Sequence, residues 1–281
     1  MPIAPALPLN GVAGLRFLDR TFDRQFETFL SSPDVEREIE YFAENAVNVT
    51  TLDELMSDRR ILSVVLGAFG LDDDINKGAF VRKVIEEGTL EPTAFANRLV
   101  ETGYREMSEF LGFGNFDGEG TLILETARDA ILERYQERQF ELAVGEVNLD
   151  MRLALNFRRE ATEIANSTTS PRNAWLQLLG SSPLRQVVEG ALNLPSQLAG
   201  IDLDQQVDEI IRRADNLFGI KEPSDFLDSE KLNAFVDRFA SISQITQGSI
   251  GTSVRGSAAL SILQSSSIGP IGGANLFASN F

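Results

Sequence analysis

The 281-residue chain contains no cysteine and no histidine. Without histidine it has no imidazole to act as a general base near neutral pH or to bind zinc. Without cysteine it forms no disulfide and offers no thiolate nucleophile or iron–sulfur ligand. Two explanations of the missing cysteine remain open: chance in a cytosolic protein, or export into an oxidising exterior where a stray thiol would cross-link.

Long apolar runs and an excess of basic residues are also missing. The net charge is −17 and the sequence pI is about 4.5, which disfavours binding to nucleic acid or to an anionic membrane. We therefore expect no nucleic-acid partner and no membrane insertion. Residues 1–11 contain three prolines and no basic residue, so they do not resemble a cleavable signal. Any export would use a route that does not read such a signal.

Apolar residues recur with a helical period along almost the whole chain. The first stripe has spacings of three and four residues, which is typical of one face of an α-helix. Such patterns predict an all-α fold with many packed helices and no sheet. Leu15, Leu18, Phe22, Phe26 and Phe29 form this stripe.

Capping residues predict where several helices begin and end. Ser32 with Pro33 marks one start, and Thr51 with Glu54 has the spacing of a capping box. Ser57 is expected to cap a helix over 58–69, and glycines are expected to end helices by adopting a left-handed conformation. The glycines are Gly70, Gly88, Gly103 and Gly219, and the predicted helices include 77–87, 92–102, 104–111, 121–147 and 149–166.

A glycine-rich segment, Gly112–Gly120, interrupts the helical pattern and is expected to be a turn or a flexible hinge. It divides the chain into two helical halves, 12–120 and 121–244. An extended N-terminal arm, 1–11, precedes them, and a low-charge tail, 245–281, follows.

Two short segments of the first half are echoed in the second. Residues 23–27 are echoed by 137–141, at an offset of 114 residues, and residues 64–71 by 187–194, at an offset of 123. A divergent duplication would explain both echoes. Chance reuse of common helical residues would explain them equally well.

The tail has one charged residue, Arg255, and apolar residues dispersed among serine, glycine and asparagine. We expect it to be a docking segment, because its apolar side chains would be exposed in a lone monomer. A disordered tail and a tail that folds back onto the helices are the alternatives. The candidate docking residues are Leu276, Phe277 and Phe281.

An apparent calcium loop starts at Asp72, followed by Asp74 and Asn76 in the correct register. Its required glycine is replaced by Lys77 and its terminal glutamate by Lys83, so calcium binding is not expected. The glycines of 112–120 lack the spacing and the preceding strand of a dinucleotide loop, and the many carboxylates are typical of solvated helix faces. We therefore expect no catalytic residues, no metal and no cofactor.

Residues 51–113 carry a family pattern. An apolar helix ends in Ala-Phe-Gly-Leu at 68–71, and acidic residues, Asn-Lys, an aromatic basic helix and Phe-Ala-Asn-Arg-Leu at 95–99 follow in order. This region resembles a bacterial family of unknown function, common in alphaproteobacteria, whose genes often lie in flagellar gene clusters. The second half departs from the pattern at Asn193 and Pro195. The motif positions are Gly70, Leu71, Asn76, Lys77, Phe80, Phe95, Asn97 and Arg98.

The resemblance implies a location rather than a reaction. It favours a non-enzymatic structural or assembly component of the flagellum, exported without signal cleavage, with flagellar or export proteins or a second copy as partners. The alternative is a cytoplasmic acidic helical interaction module, such as a chaperone or regulator of flagellar assembly.

Overall fold

A computed structural model describes residues 2–99, 101–167 and 170–246. Over these ranges the protein is all-helical, as its periodicity predicts, and contains no β-strand. The described helices are α1 Gly11–Leu30, α2 Pro33–Asn45, α3 Leu52–Ser57, α4 Arg59–Ala68, α5 Gly78–Glu87, α6 Thr102–Leu111, α7 Glu125–Val147, α8 Leu149–Ser167, α9 Pro171–Gly180, α10 Ser182–Leu192, α11 Leu203–Phe218 and α12, residues 229–246.

The buried apolar side chains form two clusters. The α4 cluster joins the end of α2, helices α3 to α6 and the first half of α7. The α8 cluster joins α1, the second half of α7 and helices α8 to α12. The 23-residue α7 is about 34 Å long, and it passes through both. Ile131 and Tyr135 lie in the α4 cluster, whereas Phe140 and Val144 lie in the α8 cluster.

Helix α1 belongs to the α8 cluster although it opens the first predicted half. Leu15 and Leu18 are buried there. The rings of Phe22 and Phe26 pack edge-on against Phe140 with centroid distances of 5.3 and 5.4 Å. The clusters therefore follow boundaries other than residue 120, and the predicted division into an arm, two halves and a tail stays a prediction.

The predicted helix over 92–102 is wrong. The structure has turns and a short 3₁₀ helix, Phe95–Arg98, and α6 begins at Thr102 with Gly103 inside it. Side chains hold this backbone in its turns: Glu87 Oε2 accepts from Phe95 N at 2.7 Å, and Asn97 Nδ2 donates to two carbonyl oxygens. The predicted helix over 121–147 likewise begins only at Glu125, after a 3₁₀ turn.

Most predicted helix ends agree with the structure. Thr51 and Glu54 form the capping box, and Gly70, Gly88 and Gly219 adopt positive φ values of 72°, 66° and 65°. The predicted cap at Ser57 is wrong, because the Asp58 side chain accepts from Arg60 N and Ile61 N instead. α2 starts at Pro33 as expected.

The echoed segments 64–71 and 187–194 end in the same backbone pattern. Leu71 N donates to Leu66 O and Leu194 N donates to Glu189 O, each at 2.9 Å. Gly70 and Asn193, one residue earlier, both have positive φ. This is a Schellman cap. A shared helix cap explains by local chemistry why the two segments end alike. The duplication stays a prediction.

Candidate protein-interaction surface

The aromatic motif residues Phe80 and Phe95 pack next to Tyr104, whose hydroxyl binds a buried carboxylate. The Phe80 ring packs edge-on against Phe95 and Tyr104, with centroid distances of 5.3 and 5.2 Å. The Tyr104 hydroxyl donates to Asp74, which is 4% exposed. Lys77 Nζ donates to the other oxygen of Asp74 at 2.5 Å. Lys77 thus closes the turn between α4 and α5 by pairing with a buried acid.

Burial and hydrogen bonding compete at this carboxylate. Burial by itself would raise the pKa of Asp74, but the hydrogen bonds from Lys77 and Tyr104 outweigh it, and the pKa lies below its usual value. Burial and the bond to Asp74 raise the pKa of Tyr104. Burial, and then the charge of Asp74, raise the pKa of Glu101. The ionised acid and neutral phenol stabilise each other, which is the expected state of a structural pair.

The other motif positions also support the fold. Leu71 is 3% exposed, and Asn76 Oδ1 accepts from Arg59 at 2.7 Å. Gly70 has a φ of 72°, a conformation that side-chain-bearing residues rarely adopt, so this position needs glycine for its backbone. The Arg98 guanidinium lies 5.8 Å from the centre of the Phe95 ring. The motif positions build the turns around α5, and none of them lines either of the two clefts described below.

Two of these turns are joined to each other. Asn97 holds the turn after α5 by donating to Thr89 O and Glu91 O at 2.9 and 2.8 Å. Asn115, in the glycine-rich segment, accepts from Thr89 N at 2.8 Å and donates to Thr89 Oγ1 at 3.0 Å. The intervening residue, Leu90, is 73% exposed. The side chains of Asn97 and Asn115 therefore fix a turn that presents an apolar residue to solvent.

The glycine-rich segment is a packed turn. Phe113 is 3% exposed in the α4 cluster, and a Cβ atom on Gly114 would lie 2.4 Å from Gly88 N. Gly112 and Gly118 have φ values of 76° and 91°. Thr121 Oγ1 donates to Phe110 O at 2.8 Å. A hinge motion here would have to break these contacts.

Five large apolar residues around these turns remain exposed, and we call them the loop surface. The short helices Ala46–Asn48 and Thr121–Ile123, which carry two of them, pack against each other. Single exposed apolar residues are common, but several together on anchored turns are typical of an interaction site. The loop surface consists of Val47 (44% exposed), Leu90 (73%), Phe116 (57%), Ile123 (50%) and Leu124 (53%).

Acidic side chains border the loop surface. Asp117 and Glu119 follow Phe116 in the chain, and Glu125 follows Leu124 at the start of α7. These three acidic side chains are exposed. Arg128 lies nearby, but its NH1 donates to Leu122 O and Ile123 O at 2.8 and 2.9 Å. The three carboxylates outnumber the guanidinium of Arg128, so the charge beside the loop surface is mainly negative.

A second open region, the α11 groove, follows one side of α11. It consists of two clefts of about 320 and 420 Å³ that meet at Arg212. The first lies between α10, α11 and α12, and the second between α11 and the turn before it. The lining residues are Leu192, Asn193, Arg212, Arg213, Asn216, Leu217 and Arg238 in the first cleft, and Pro195, Leu198, Ile201, Gln205, Asp208, Glu209 and Arg212 in the second.

The α11 groove concentrates arginines in an acidic protein. Arg212 and Arg213 share one carboxylate, Glu209, with contacts of 2.6 Å, and their hydrogen bonds lower the pKa of Glu209. Arg213 also donates to Leu192 O and Asn193 O at the end of α10. Arg238 Nε donates to Ala191 O at 2.9 Å. These bonds hold the arginines at the groove edge.

A family model described as a protein of unknown function, DUF1217, matches residues 68–232. The chain belongs to the DUF1217 family. A crystal structure of an Agrobacterium tumefaciens protein, a structural-genomics target, is similar to this chain. It has 28% identity and a TM-score of 0.69, and the match covers 87% of this chain and 99% of that one. No curated protein matches the chain.

The match to the DUF1217 family covers the motif positions, Phe116, Ile123 and most of the α11 groove. This match confirms that residues 51–113 resemble a family of unknown function. The similar crystal structure comes from an alphaproteobacterium. The family description supplies no reaction or partner. The functional reading of the loop surface and the α11 groove therefore depends on their own geometry.

Other expected features are reported for the described ranges alone. No group of three side chains there could hold a metal ion. No helix in the same ranges combines the length and the apolar character needed to cross a membrane. The predicted docking residues Leu276, Phe277 and Phe281 lie outside the described residues.

Sequence reasoning did not single out either surface. The Asp-Gly pair directly after Phe116 is a usable signal for an exposed turn, although Phe113 in the same segment is buried. The arginines of the α11 groove had no such signal. Arg212 and Arg213 lie 25 or more residues from Arg238 in sequence, and only the packing of α12 beside α10 brings them together.

Proposed function

We propose that this protein is a non-enzymatic interaction component of the bacterial flagellum, with a structural or assembly role and export without signal cleavage. The loop surface is the observation that carries the interaction function. Phe116 and Ile123 are at least half exposed on turns that are fixed by Asn97, Asn115 and Thr121. The flagellar part rests on the resemblance in residues 51–113.

The pairing of the buried polar groups supports a role other than catalysis. Asp74 is held by Tyr104 and Lys77. Glu141, 10% exposed in its side chain, makes two hydrogen bonds to Arg159 at 2.8 and 3.0 Å. Groups that are paired so fully within the fold have little capacity for proton transfer to a substrate.

A second candidate is a cytoplasmic chaperone or regulator of flagellar assembly. The acidic rim of the loop surface favours it, because Asp117, Glu119 and Glu125 would attract a basic amphipathic segment of a partner. Both candidates use the same surface, so they differ in where the protein resides.

Cell fractionation with a paired variant tests the proposal. We expect the wild-type protein in sheared filament or hook–basal-body preparations, and the Phe116→Ser/Ile123→Ser variant to be lost from them. Leu227→Ser is the matched control, because Leu227 is also 50% exposed but lies between α11 and α12. The control should behave like the wild type.

Two outcomes would contradict the proposal. Wild-type protein confined to the soluble cytosol, with normal flagella after gene deletion, would count against both flagellar roles. Equal incorporation of the wild type and the paired variant would show that the loop surface is not the docking element.

A further inference from the structure

We propose that the protein associates head to tail with itself, with the loop surface of one copy docked in the α11 groove of the next. This inference rests on the proposed interaction function and names its partner as a second copy. It follows from two surfaces of the same chain that are complementary in polarity and charge.

The α11 groove offers room and apolar contact. Its two clefts, of about 320 and 420 Å³, together match the volume of a few large side chains. Ile201 and Leu217, at opposite ends, are 42% and 47% exposed. Phe116, Ile123 and Leu124 are large and at least half exposed, so they are suited to cover these residues.

The charges around the two surfaces are opposite. Three arginines line the α11 groove, against Asp208 and Glu209. Asp208 shares Arg172 with Asp204, at 3.0 and 2.6 Å, and Glu209 is shared between two arginines of the groove. Arg238 is exposed and forms no ion pair with a described residue. The lining of the groove therefore carries three positive and two negative charges, a small positive excess in a chain whose net charge is −17.

The rim of the loop surface supplies the missing negative charge. Asp117, Glu119 and Glu125 are exposed beside Phe116 and Leu124. Docking would place these carboxylates near Arg212 and Arg238 while the apolar residues meet Ile201 and Leu217. Such an arrangement, with an apolar centre and a charged rim, is that of a specific protein interface.

The two surfaces lie on different parts of one molecule. The loop surface lies on the α4 cluster, whereas α11 packs on α9 and α10 in the α8 cluster. A contact between them must therefore join two copies through unlike patches. Contacts of this kind grow into rings or open filaments rather than closing as two-fold dimers.

Mixing two full-length variants tests this geometry. The loop variant, Phe116→Ser/Ile123→Ser, keeps the groove intact, and the groove variant, Leu217→Ser/Arg238→Glu, keeps the loop surface intact. Arg24→Glu is the control, because Arg24 is an exposed arginine of α1. Sedimentation velocity at about 100 μM would detect an interface with a Kd of about 10 μM. Far-UV circular dichroism confirms that each variant is folded.

We expect the wild type and the control to form species larger than dimers as the concentration rises. Each folded variant alone should remain monomeric, and their mixture should form a one-to-one dimer that grows no further. That dimer should dissociate when salt is raised about tenfold, because opposite charges at the rim are screened.

Three results would overturn the inference: a monomeric wild type, association of either variant alone to the wild-type extent, or a mixture that does not dimerise. None of these results would contradict the proposed flagellar function, because fractionation of the wild-type protein in cells tests that function separately. Loss of the Phe116→Ser/Ile123→Ser variant from flagellar preparations, with no self-association in vitro, would assign the loop surface to a different protein.

Discussion

Asp74 shows at the residue scale how a polar side chain stabilises a turn inside an apolar cluster. Its side chain is 5% exposed and is held by Lys77 and Tyr104. A buried carboxylate is tolerated only when hydrogen bonds replace its water. The segment Asp72–Asn76, which superficially looks like a calcium loop, is instead a 3₁₀ helix whose third acid points at a tyrosine of α6.

Replacing this acid tests its role. We expect Asp74→Asn to lower the free energy of unfolding by about 2–3 kcal/mol at pH 7, because the negative charge is lost and one of the two donors then faces an amide NH2 that cannot accept. Tyr104→Phe removes one neutral donor and should cost about 1–2 kcal/mol. Urea unfolding followed by circular dichroism measures both. A larger loss in Tyr104→Phe than in Asp74→Asn would contradict this assignment.

The pH dependence of the same pair has a definite sign. The pKa of Asp74 in the folded protein lies below its ordinary value of 3.8, so the unfolded chain binds the proton more tightly. The stabilisation is therefore present above pH 3.8 and is lost as the pH falls through the folded pKa. The difference between wild type and Asp74→Asn should shrink over that acid range.

The joint between α7 and α8 is the clearest case at the element scale. Arg159 of α8, 14% exposed in its side chain, is paired with Glu141 of α7, and Glu160 lies 3.3 Å from the same guanidinium. Burial by itself would lower the pKa of Arg159, but the hydrogen bonds that it donates to Glu141, and the negative charges of Glu141, Glu160 and Glu163, raise it. The pair sets the register of the two helices across a largely buried seam.

A double-mutant cycle tests whether the Arg159–Glu141 pair adds to the stability of the protein or mainly fixes the register of α7 and α8. We expect Arg159→Met to cost about 3–5 kcal/mol, because it leaves Glu141 buried without its charge partner. Arg159→Met combined with Glu141→Leu should recover most of that loss, since no uncompensated buried charge remains at this position. Thermal unfolding of the four proteins measures the coupling. A double variant as unstable as the sum of the singles would contradict the expectation.

On the scale of the whole molecule, α7 is one continuous helix that contributes buried residues to both apolar clusters. Ile131 and Phe140 are nine residues apart on this helix, and each is at most 1% exposed in a different cluster. The Phe22 and Phe26 rings of α1 pack on Phe140 as well. Loss of packing at either end of α7 is therefore expected to weaken both clusters.

We expect a single cooperative unfolding transition. Ile131→Ala and Phe140→Ala should each destabilise by about 2–5 kcal/mol, because each leaves a cavity in a packed core. Both should move the whole transition to lower temperature rather than part of it. Calorimetry alongside circular dichroism tests this. A variant that splits the melt into two steps would show that the α4 and α8 clusters unfold independently.

The sequence by itself determined the all-α fold class and many helix ends, because these features depend on local chemistry. Helical periodicity depends only on neighbours three and four residues apart, and Gly70, Gly88 and Gly219 end helices because glycine adopts positive φ at low cost. The Thr51 capping box is equally local. These features needed no knowledge of distant contacts, so they agree with the structure.

Only the tertiary structure decided the segments whose backbone is held by distant side chains. Residues 92–98 have helical composition, yet Glu87, Thr89 and Asn97 hold them in turns. Contacts between residues far apart in sequence also placed α1 with the later helices and brought Arg238 beside α10. The loop surface and the α11 groove arise in the same way, because the exposure of a side chain depends on what packs around it and not on its neighbours in sequence.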